Sequence, residues 1–322
     1  MSNILVTGGM GFIGHNVASL LESKGHIVYV VDTNTTYGIV PKEEMNYLIA
    51  ERSKKVDTYW KYKHDVCDYS NMHWIFASGR FDTVIHLASF PRQKVVNSNP
   101  MEGSRVMNEG LLNLLDLSNK FNVKKFVYIS SSMVYGDFSD GVKEDAVCNP
   151  QGTYGIMKYT GELLTKDYTR NTDMNYTIIR PSAVYGPLDV EDRVIAKFML
   201  SAMRDEVLKV NGSNEKLDFS YIDDVAIGIV DAALSDNTNN KTYNITKGRS
   251  RTLLEAAELV VKIVGKGSIE VCDRDNNFPS RGSLNIDSAR TDFNYDPKVD
   301  IEQGFQRYYD WLKNSTFYNR DE

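Results

Sequence analysis

The stretch from Asn3 to Asp32 restricts the possible folds of this chain more than any other part of its sequence. Ile4 to Val6 is a short apolar run that ends at a pair of glycines, which is typical of a buried strand stopped by a turn. From Gly14 the apolar residues recur with helical spacing, and Ile27 to Val31 is a second apolar run that ends at an aspartate. The pattern predicts a strand, a glycine turn, a helix and a second strand.

The three glycines of the turn, spaced Gly8-x-x-Gly11-x-x-Gly14, each have a separate physical purpose. Gly8 permits the tight turn, Gly11 allows a pyrophosphate to approach the backbone, and Gly14 lets the helix pack closely on the strand. The helix N-terminus offers free N–H groups and the positive end of its dipole to phosphates. A glycine turn alone is weak evidence, but its place between a strand and a helix predicts a dinucleotide site that includes Phe12 and Ile13.

Asp32 stands at the end of the second predicted strand. A carboxylate there accepts hydrogen bonds from the hydroxyls of adenosine ribose and repels a 2′-phosphate, so the cofactor is predicted to be NAD rather than NADP. We expect Asn34 to contact the same end of the cofactor. The excursion from Thr33 to Val56 contains a predicted helix, Pro41 to Ser53, that is expected to hang over the adenosine.

Composition and charge exclude several classes of protein. The 322 residues suit a nucleotide-binding domain with a smaller partner, and the net charge of -6 argues against a surface for nucleic acid or anionic membrane. The sequence contains no apolar run of membrane-spanning length. Cys67, Cys148 and Cys272 are isolated and lack the spacing of metal ligands, so we expect reduced cysteines in a cytoplasmic protein without a bound metal.

Apolar strands continue to alternate with helices along the first 180 residues. This rhythm predicts an α/β fold with a Rossmann-type, doubly wound parallel sheet covered on both faces. We expect residues 1–180 to form the nucleotide-binding domain and residues 181–322 a smaller α/β substrate lobe, with Tyr243 to Ile245 returning to the main sheet. The remaining predicted elements are strands ending near Val66 (from Trp60), Ala88 (from Val84), Ser130 (from Lys125) and Arg180 (from Tyr176), and helices Met101 to Asn119 and Thr153 to Thr169.

A pair of residues in the middle of the chain suggests the chemistry. Tyr154 and Lys158 are one helical turn apart on the same face, where a cation and an oxidised nicotinamide together lower the pKa of the phenol towards neutrality. Such a phenol acts as a general base towards an alcohol. Ser131, at the end of the preceding strand, is placed to hydrogen-bond the same oxygen. Taken alone, the pair also fits an ordinary surface contact, and the serine fits a loop residue that bonds the backbone.

These motifs, in this order, resemble the extended short-chain dehydrogenase/reductases of the NAD-dependent epimerase/dehydratase family, which act on nucleotide sugars. The resemblance covers nearly the whole chain and includes Thr7 to Gly14, Asp32, Asp65-Val66, His86 to Ser89, Ser130 to Gly136, Tyr154 to Lys158, Arg180 to Pro187, Phe219 to Val225 and Asn294 to Pro297.

The resemblance also implies roles for individual residues. Asp65 and Val66 would flank the adenine, while Leu87, Ala88 and Ser89 would lie along the cofactor, as would Ser130, Tyr154, Lys158, Pro181 and Val184. Ser131, Tyr154 and Lys158 match the catalytic residues of the family, and Ser131, Ser132 and Tyr154 would also contact the sugar. Arg92, Lys94, Arg193 and Arg281 are placed where cations of relatives meet the substrate.

Several positions depart from the pattern of the family. Relatives that remove water carry Asp-Glu where this chain has Ser132-Met133, and decarboxylating relatives carry Glu at the second position. Ala183 replaces a usual Asn, Leu217 replaces a usual Arg, and Met107 stands where an Asn is common, with Asn108 one place later. The departures leave the nucleotide undetermined and favour hydride chemistry at a single carbinol over elimination.

Three classes of function remain open. The first is a nucleotide-sugar 4-epimerase that holds NAD and returns the hydride to the opposite face. The second is a dehydrogenase or reductase with exchanging NAD, and the third, which the Ser131-Tyr154-Lys158 set disfavours, is a regulatory protein that only binds NAD.

Two further expectations concern packing. We expect a homodimer in which helices Met101 to Asn119 and Thr153 to Thr169 form a four-helix bundle with their symmetry mates, through outward leucines drawn from Leu111, Leu114, Leu115, Leu163 and Leu164. His86 is expected in the core, and His15 on the surface of the first helix.

Overall fold

The computed structural model describes residues 1–35, 40–90 and 93–319. Its strands are β1 (Asn3–Thr7), β2 (Ile27–Val31), β3 (Trp60–Tyr62), β4 (Thr83–His86), β5 (Lys125–Ile129), β6 (Asn175–Pro181), β7 (Val184–Tyr185), β8 (Val207–Asn211), β9 (Lys216–Leu217), β10 (Ser220–Tyr221), β11 (Lys241–Ile245), β12 (Arg251–Thr252) and β13 (Ser268–Cys272).

The α-helices are α1 (Phe12–Ser23), α2 (Lys42–Lys55), α3 (Tyr69–Gly79), α4 (Gln93–Ser98), α5 (Pro100–Ser104), α6 (Gly110–Lys120), α7 (Gly152–Thr169), α8 (Val194–Met203), α9 (Ile222–Leu234), α10 (Leu253–Val264), α11 (Asp287–Phe293) and α12 (Ile301–Lys313). A π-helical turn, Arg105–Glu109, joins α5 to α6, and short 3₁₀ turns lie at Ser132–Tyr135 and Asp236–Thr238.

In the described residues, seven parallel strands form the main sheet in the order β11-β6-β5-β4-β1-β2-β3. The chain winds outwards from β1 in both directions, which confirms the predicted doubly wound sheet. A crevice opens beyond the carboxyl ends of β1 and β4, where the winding reverses, and ligands of such sheets bind there. The return of the late segment is also confirmed, because β11 pairs with β6.

Alternating side chains of the strands build a core on each face of this sheet. Ile4 and Val6 pack with α1 and α9 on one face, whereas Leu5 of the same strand packs with α3 and α6 on the other. Both faces are therefore buried, as parallel sheets require. Helix α3 is not among the predicted elements, because the exposed Trp74 interrupts its apolar pattern.

The helix predicted from Met101 to Asn119 is divided into α5, the π turn and α6. Leu111, Leu114 and Leu115 are completely buried in the core on the sheet, so of the five leucines considered for the outer face these three face the sheet instead. Leu163 on α7 does face outwards, with 50% of its surface exposed.

The smaller lobe has a core of its own, formed mainly by α8, α10 and α12, with Phe219, Tyr185 of β7 and Tyr221 of β10 around them. Beside these helices β8 pairs in parallel with β13, and β9 pairs antiparallel with β12. Across the described part of the chain, no helix has both the length and the apolar character needed to cross a membrane.

Candidate active site

A cavity of about 1110 Å³ runs along the carboxyl edge of the main sheet and continues between the two lobes. The glycine turn and Asp32 line one end, and loops of the smaller lobe that include Phe278 and Arg281 line the other. All predicted site residues in the described part of the chain lie on this cavity. They are Gly8, Gly11, Phe12, Ile13, Gly14, Asp32, Asn34, Asp65, Val66, Leu87, Ala88, Ser89, Ser130, Ser131, Ser132, Tyr154, Lys158, Pro181, Val184, Arg193 and Arg281.

Close packing explains two of the three glycines. Gly8 has a φ of +69°, and a Cβ added to it would lie 2.6 Å from the backbone nitrogen of Ala88. A Cβ at Gly14 would lie 2.1 Å from the carbonyl oxygen of Gly8, so α1 can approach β1 only without a side chain there. At Gly11 a Cβ would lie 3.0 Å from the carbonyl oxygen of Gly8, a tight contact but a less severe one, and the approach of a pyrophosphate to Gly11 stays a prediction. The turn forms the narrow cradle that a dinucleotide phosphate needs.

Asp32 lies at the tip of β2 with its carboxylate tied to the backbone. One oxygen accepts a hydrogen bond from the Met10 amide (2.9 Å), and the other accepts one from the Asn34 amide (2.8 Å). Burial raises the pKa of Asp32, while these amides and the nearby guanidinium of Arg52 oppose the shift. The carboxylate thus faces the cavity with a fixed orientation, which fits a role as acceptor of ribose hydroxyls.

Asp65 and Val66 follow β3 at the same end of the cavity. The Asp65 carboxylate accepts hydrogen bonds from the Cys67 amide (2.9 Å) and from Nη2 of Arg105 (2.9 Å). Arg105 belongs to the π turn and lines the cavity beside them, although sequence reasoning did not identify it. Extra residues of this kind in a helix often lie at functional sites.

Ser131, Tyr154 and Lys158 come together at the end of β5. The hydroxyl of Ser131 lies close enough to that of Tyr154 to lower the pKa of the phenol. Nζ of Lys158 lies 6.0 Å from the centre of the Tyr154 ring and donates a hydrogen bond to the carbonyl of Ile129 (2.8 Å). Ser131 also caps the following 3₁₀ turn by accepting from the Met133 amide (3.2 Å). The motif is therefore a buried cluster rather than a surface pair.

Burial sets the electrostatics of this cluster. It raises the pKa of Tyr154, against the opposing effects of the Arg193 charge and the hydrogen bond with Ser131. It lowers the pKa of Lys158 to about 7, which the carboxylate of Glu162 partly offsets. The lowered phenol pKa that we predicted is thus not a property of the protein alone, because it also requires the positive charge of an oxidised nicotinamide.

Ser130 has a different role from its neighbour. Its hydroxyl donates to Oε1 of Glu162 (2.6 Å), inside a buried network in which Glu162 also binds Arg180 at 2.7 Å. The serine lines the cavity, but its hydroxyl is committed to this network. Any contact between Ser130 and a cofactor would therefore involve the backbone atoms of this residue rather than its hydroxyl.

Two arginines line the cavity away from the glycine turn. Arg281 is half-buried, with its guanidinium 5.8 Å from the centre of the Phe278 ring and Nη1 3.9 Å from Sδ of Met133. Burial lowers the pKa of Arg281 to about 10. Arg193 is more exposed and lies 3.9 Å from Asp189. Both positions suit a diphosphate or another anion, whereas Arg92 lies outside the described residues.

The end of β6, the turn after it and the start of β7 supply Pro181, Ala183 and Val184 to the wall of the cavity. Ala183 has a φ of +38°, a conformation that asparagine tolerates better than alanine. Lys94 also reaches the cavity, although its side chain is 70% exposed and lies 3.9 Å from Asp275.

The two histidines behave differently from each other. His86 is buried beside Oγ1 of Thr7 (2.7 Å), as expected of a core residue. His15 is also completely buried, so its predicted surface position is wrong. Its Nδ1 lies 2.9 Å from the Gly11 carbonyl, and burial lowers its pKa to about 3. The α1 face that carries His15 is covered by α2, an element that the local pattern of α1 does not reveal.

Comparisons with known proteins agree with this geometry. The model of the NAD dependent epimerase/dehydratase family matches residues 4–246. A UDP-glucuronate 4-epimerase of Thermodesulfobacterium geofontis (strain OPF15) is 29% identical over 98% of this chain and 97% of its own length.

Two solved structures are similar over nearly their whole length. The UDP-glucose 4-epimerase of Thermotoga maritima with UDP-glucose has a TM-score of 0.86 and 28% identity, covering 97% of this chain and 98% of its own. The UDP-glucuronic acid 4-epimerase of Bacillus cereus, in complex with UDP-glucuronic acid and NAD, has a TM-score of 0.88 and 26% identity, covering 96% and 98%. The fold, the cavity and the family match together show that this chain belongs to the NAD dependent epimerase/dehydratase family.

Proposed function

We propose that this protein is an NAD-dependent nucleotide-sugar 4-epimerase. The observation that carries the proposal is the group of buried Ser131 and Lys158 with partly buried Tyr154, which lies on the same cavity as the glycine turn. The steric cradle around Gly8 and Gly14 and the oriented carboxylate of Asp32 fit a dinucleotide. When bound, NAD would supply an acceptor and donor of hydride next to this group.

Each member of the group has a definite part in the reaction. Tyr154, as phenolate, takes the proton from the C4 hydroxyl of the sugar and returns it after the ketone has been reduced. Ser131 donates a hydrogen bond to the developing carbonyl oxygen. Lys158 favours the phenolate electrostatically and, with its fixed position on the Ile129 carbonyl, is placed to bind the nicotinamide ribose. Rotation of the ketone between two half-reactions exposes its other face to the returning hydride.

The residues after Ser131 argue against dehydration and decarboxylation. Dehydrating relatives carry acids at the positions of both Ser132 and Met133, and decarboxylating relatives carry one at the position of Met133. Neither Ser132 nor Met133 can act as an acid or a base here. Ser132 and Met133 are buried in the 3₁₀ turn, where Met133 contacts the guanidinium of Arg281 through its sulfur. The supported chemistry is therefore confined to one carbinol.

We further propose a UDP-sugar as the substrate. The relatives whose names specify a nucleotide sugar act on UDP-glucose or UDP-glucuronate, and the cavity offers Arg281 and Arg193 to a diphosphate. Arg193 also lies close enough to Tyr154 to affect the pKa of the phenol, so a substrate bound there would lie beside the catalytic base.

The experiment that tests this function is direct turnover with no added cofactor. The protein is incubated with UDP-glucose or UDP-glucuronate, and GDP-mannose serves as the nucleotide control. We expect the C4 epimer of one UDP-sugar by proton NMR. Formation of free NADH or of a keto sugar that needs added NAD would instead support the alternative dehydrogenase or reductase.

Tyr154→Phe is the matched variant in this experiment. It preserves the ring but removes the ionisable oxygen, and we expect the rate to fall by roughly 10²–10⁴-fold while NAD remains bound. Full activity of the variant would contradict the assignment of Tyr154 as the base.

A homodimer and a cytoplasmic location are part of this proposal. The outer face of α7 exposes Ile156 (52%) and Leu163 (50%), and Met101 at the start of α5 is 83% exposed. These side chains suit two-fold packing of the two helices against their symmetry mates. Unpaired Cys67, Cys148 and Cys272 suit a reducing compartment.

A further inference from the structure

One buried arginine joins the cofactor end of the cavity to the substrate end. Arg52 extends from α2, and only 3% of its surface is exposed. Its Nη1 donates to the carbonyl of Met10 (3.1 Å), in the middle of the glycine turn. Its Nη2 donates to the carbonyl of Leu188 (2.7 Å), in the loop that leads to Arg193. A single planar group therefore bridges two segments that are 178 residues apart in the chain (188 − 10).

The charge of Arg52 faces acids on both sides. The charges of Asp189 and Asp32, in that order, have the largest favourable effects on the guanidinium and offset part of the cost of its burial. Asp32 is the proposed ribose ligand, and Asp189 is the ion-pair neighbour of Arg193. Arg52 is thus electrostatically linked to both the cofactor site and the substrate site.

The loop that Arg52 holds is a strained one. Leu188 has a φ of +69°, a left-handed conformation that is unfavourable for a non-glycine residue. Helix α2 holds this loop a second time through Glu44, whose Oε1 accepts from the Glu191 amide (2.7 Å). Such backbone strain persists only where surrounding contacts enforce it. The two contacts from α2 therefore determine where the loop places Arg193.

We propose that Arg52 is a positioning residue that couples binding of the cofactor at the glycine turn to the placement of the substrate loop. The inference rests on the proposed function for the identity of the two ligands. When the turn is fixed around the cofactor, the Met10 carbonyl fixes the guanidinium, and the guanidinium fixes Leu188 and the residues that follow. The substrate then binds to a loop that is already ordered, and the two ligands strengthen each other.

Another use of an arginine near Asp32 is ruled out by its direction. In enzymes that bind NADP, an arginine at this end can accommodate the 2′-phosphate. The terminal nitrogens of Arg52 instead donate to two backbone carbonyls and are buried beneath the turn. Of its donors only Nε lacks a hydrogen-bond acceptor among the described residues.

A purely structural role for α2 is separable from this coupling. The helix is also fastened to the C-terminal segment, where the hydroxyl of Tyr47 lies 2.9 Å from that of Ser315 and the Tyr47 ring stacks on Phe317 at 5.1 Å. These contacts touch neither the glycine turn nor the substrate loop. Tyr47→Phe therefore perturbs the anchoring of α2 without breaking the bridge, and Lys54→Met changes only its exposed face.

The test measures binding rather than turnover. The affinity of the full-length protein for UDP is determined by calorimetry after any retained NAD has been removed, and again with NAD added back to saturation. In the wild type we expect NAD to tighten UDP binding by at least about 5-fold, the lower end of typical couplings. Arg52→Met removes both hydrogen bonds, and Arg52→Lys keeps the charge between Asp32 and Asp189 but replaces the planar fork by a compact ammonium. In both variants we expect the ratio of the UDP dissociation constants measured without and with NAD to fall towards 1.

The controls and outcomes separate this inference from the proposed function. Tyr47→Phe and Lys54→Met should retain the wild-type ratio, even where Tyr47→Phe lowers the melting temperature. If Arg52→Lys is folded and retains the ratio, or if the wild type shows none, Arg52 does not couple the sites and the epimerase proposal is unaffected. If the wild type binds no UDP with NAD present, the proposed substrate class and the coupling both fail.

Discussion

At the scale of single residues, the chemistry of this protein depends on a few buried polar side chains with fixed partners. The short motif of Tyr154 and Lys158 was predictable because both residues lie on one turn of a helix. The roles of Arg52, Arg105 and Glu162 were not, because each becomes meaningful only through partners distant in sequence. From sequence alone, a charged residue in a helix is predicted to lie on the solvated surface, because the sequence does not show which other segments will bury it.

Asp32 allows a test of cofactor choice. We expect the wild type to bind NAD much more tightly than NADP. Asp32→Ala should reduce this difference in affinity, chiefly by weakening the binding of NAD. The substitution also leaves the amides of Met10 and Asn34 without their acceptor. Asp32→Asn, which keeps the shape and one acceptor oxygen, separates the lost charge from a disordered turn. Equal affinities of the wild type for the two cofactors, measured by fluorescence titration, would mean that Asp32 does not bind the ribose.

Burial of Lys158 lowers the free energy of unfolding by an amount that depends on pH. Its pKa is about 7 in the folded protein and near 10.5 in an unfolded chain, so the unfolded state binds more protons between these values. The resulting cost to stability is fully present below pH 7 and disappears as the pH rises towards 10.5.

Lys158→Met tests this account. The variant lacks the ionisable group, and it should be inactive and bind NAD more weakly. We expect it to be more stable than the cofactor-free wild type at pH 7, with a difference that shrinks by pH 10 in urea unfolding. A difference that stays constant with pH would show that Lys158 is not destabilised by burial.

At the scale of secondary structure, the central strands and their flanking helices followed from apolar periodicity. The sequence between β1 and β2 contains the glycines that a tight turn and a closely packed helix need. The close backbone contacts observed at Gly8 and Gly14 agree with that prediction. The π turn between α5 and α6 and the inward direction of Leu111 were not accessible, since a local pattern does not show where an extra residue enters a helix or which neighbour covers a face.

The backbone of the turn between β6 and β7 is strained, and a single substitution should relieve the strain. Ala183 is left-handed at φ +38°, and asparagine, the residue usual there in the family, adopts this region more readily. We expect Ala183→Asn to increase the free energy of unfolding by up to about 1 kcal/mol. Ala183→Ser is the control, because serine gains no such freedom. If Ala183→Asn is no more stable than the wild type by thermal unfolding, the turn is not under strain in solution.

At the scale of the whole molecule, the two lobes meet along the cavity, and this is where prediction from sequence was weakest. The cofactor end is built from consecutive strand–helix units, whereas the substrate end collects loops such as 186–193 and 273–286 from a lobe with little repetition. The individual arginines were identified, but their distances from Tyr154 and Met133 depend on how those loops fold.

The proposed dimer is a property of the same scale. Leu163 is half exposed on the outer face of α7, so Leu163→Glu should place two charges in the proposed interface. We expect a dimer for the wild type and a monomer for the variant by light scattering at micromolar concentration. Lys262→Glu, a charge change at an exposed position of α10 away from this helix, is the control. A monomeric wild type would rule out the four-helix bundle.

The most direct test of transient oxidation at C4 follows an isotope at that carbon. UDP-glucose and UDP-glucuronate carrying deuterium at C4 are incubated with the purified protein and unlabelled NADH in solution. We predict that the epimerised product of the true substrate keeps its deuterium at C4, because the label leaves and returns within one bound complex. Loss of the label to free NADH, or inversion at C4 with exchange of deuterium for solvent hydrogen, would contradict the mechanism.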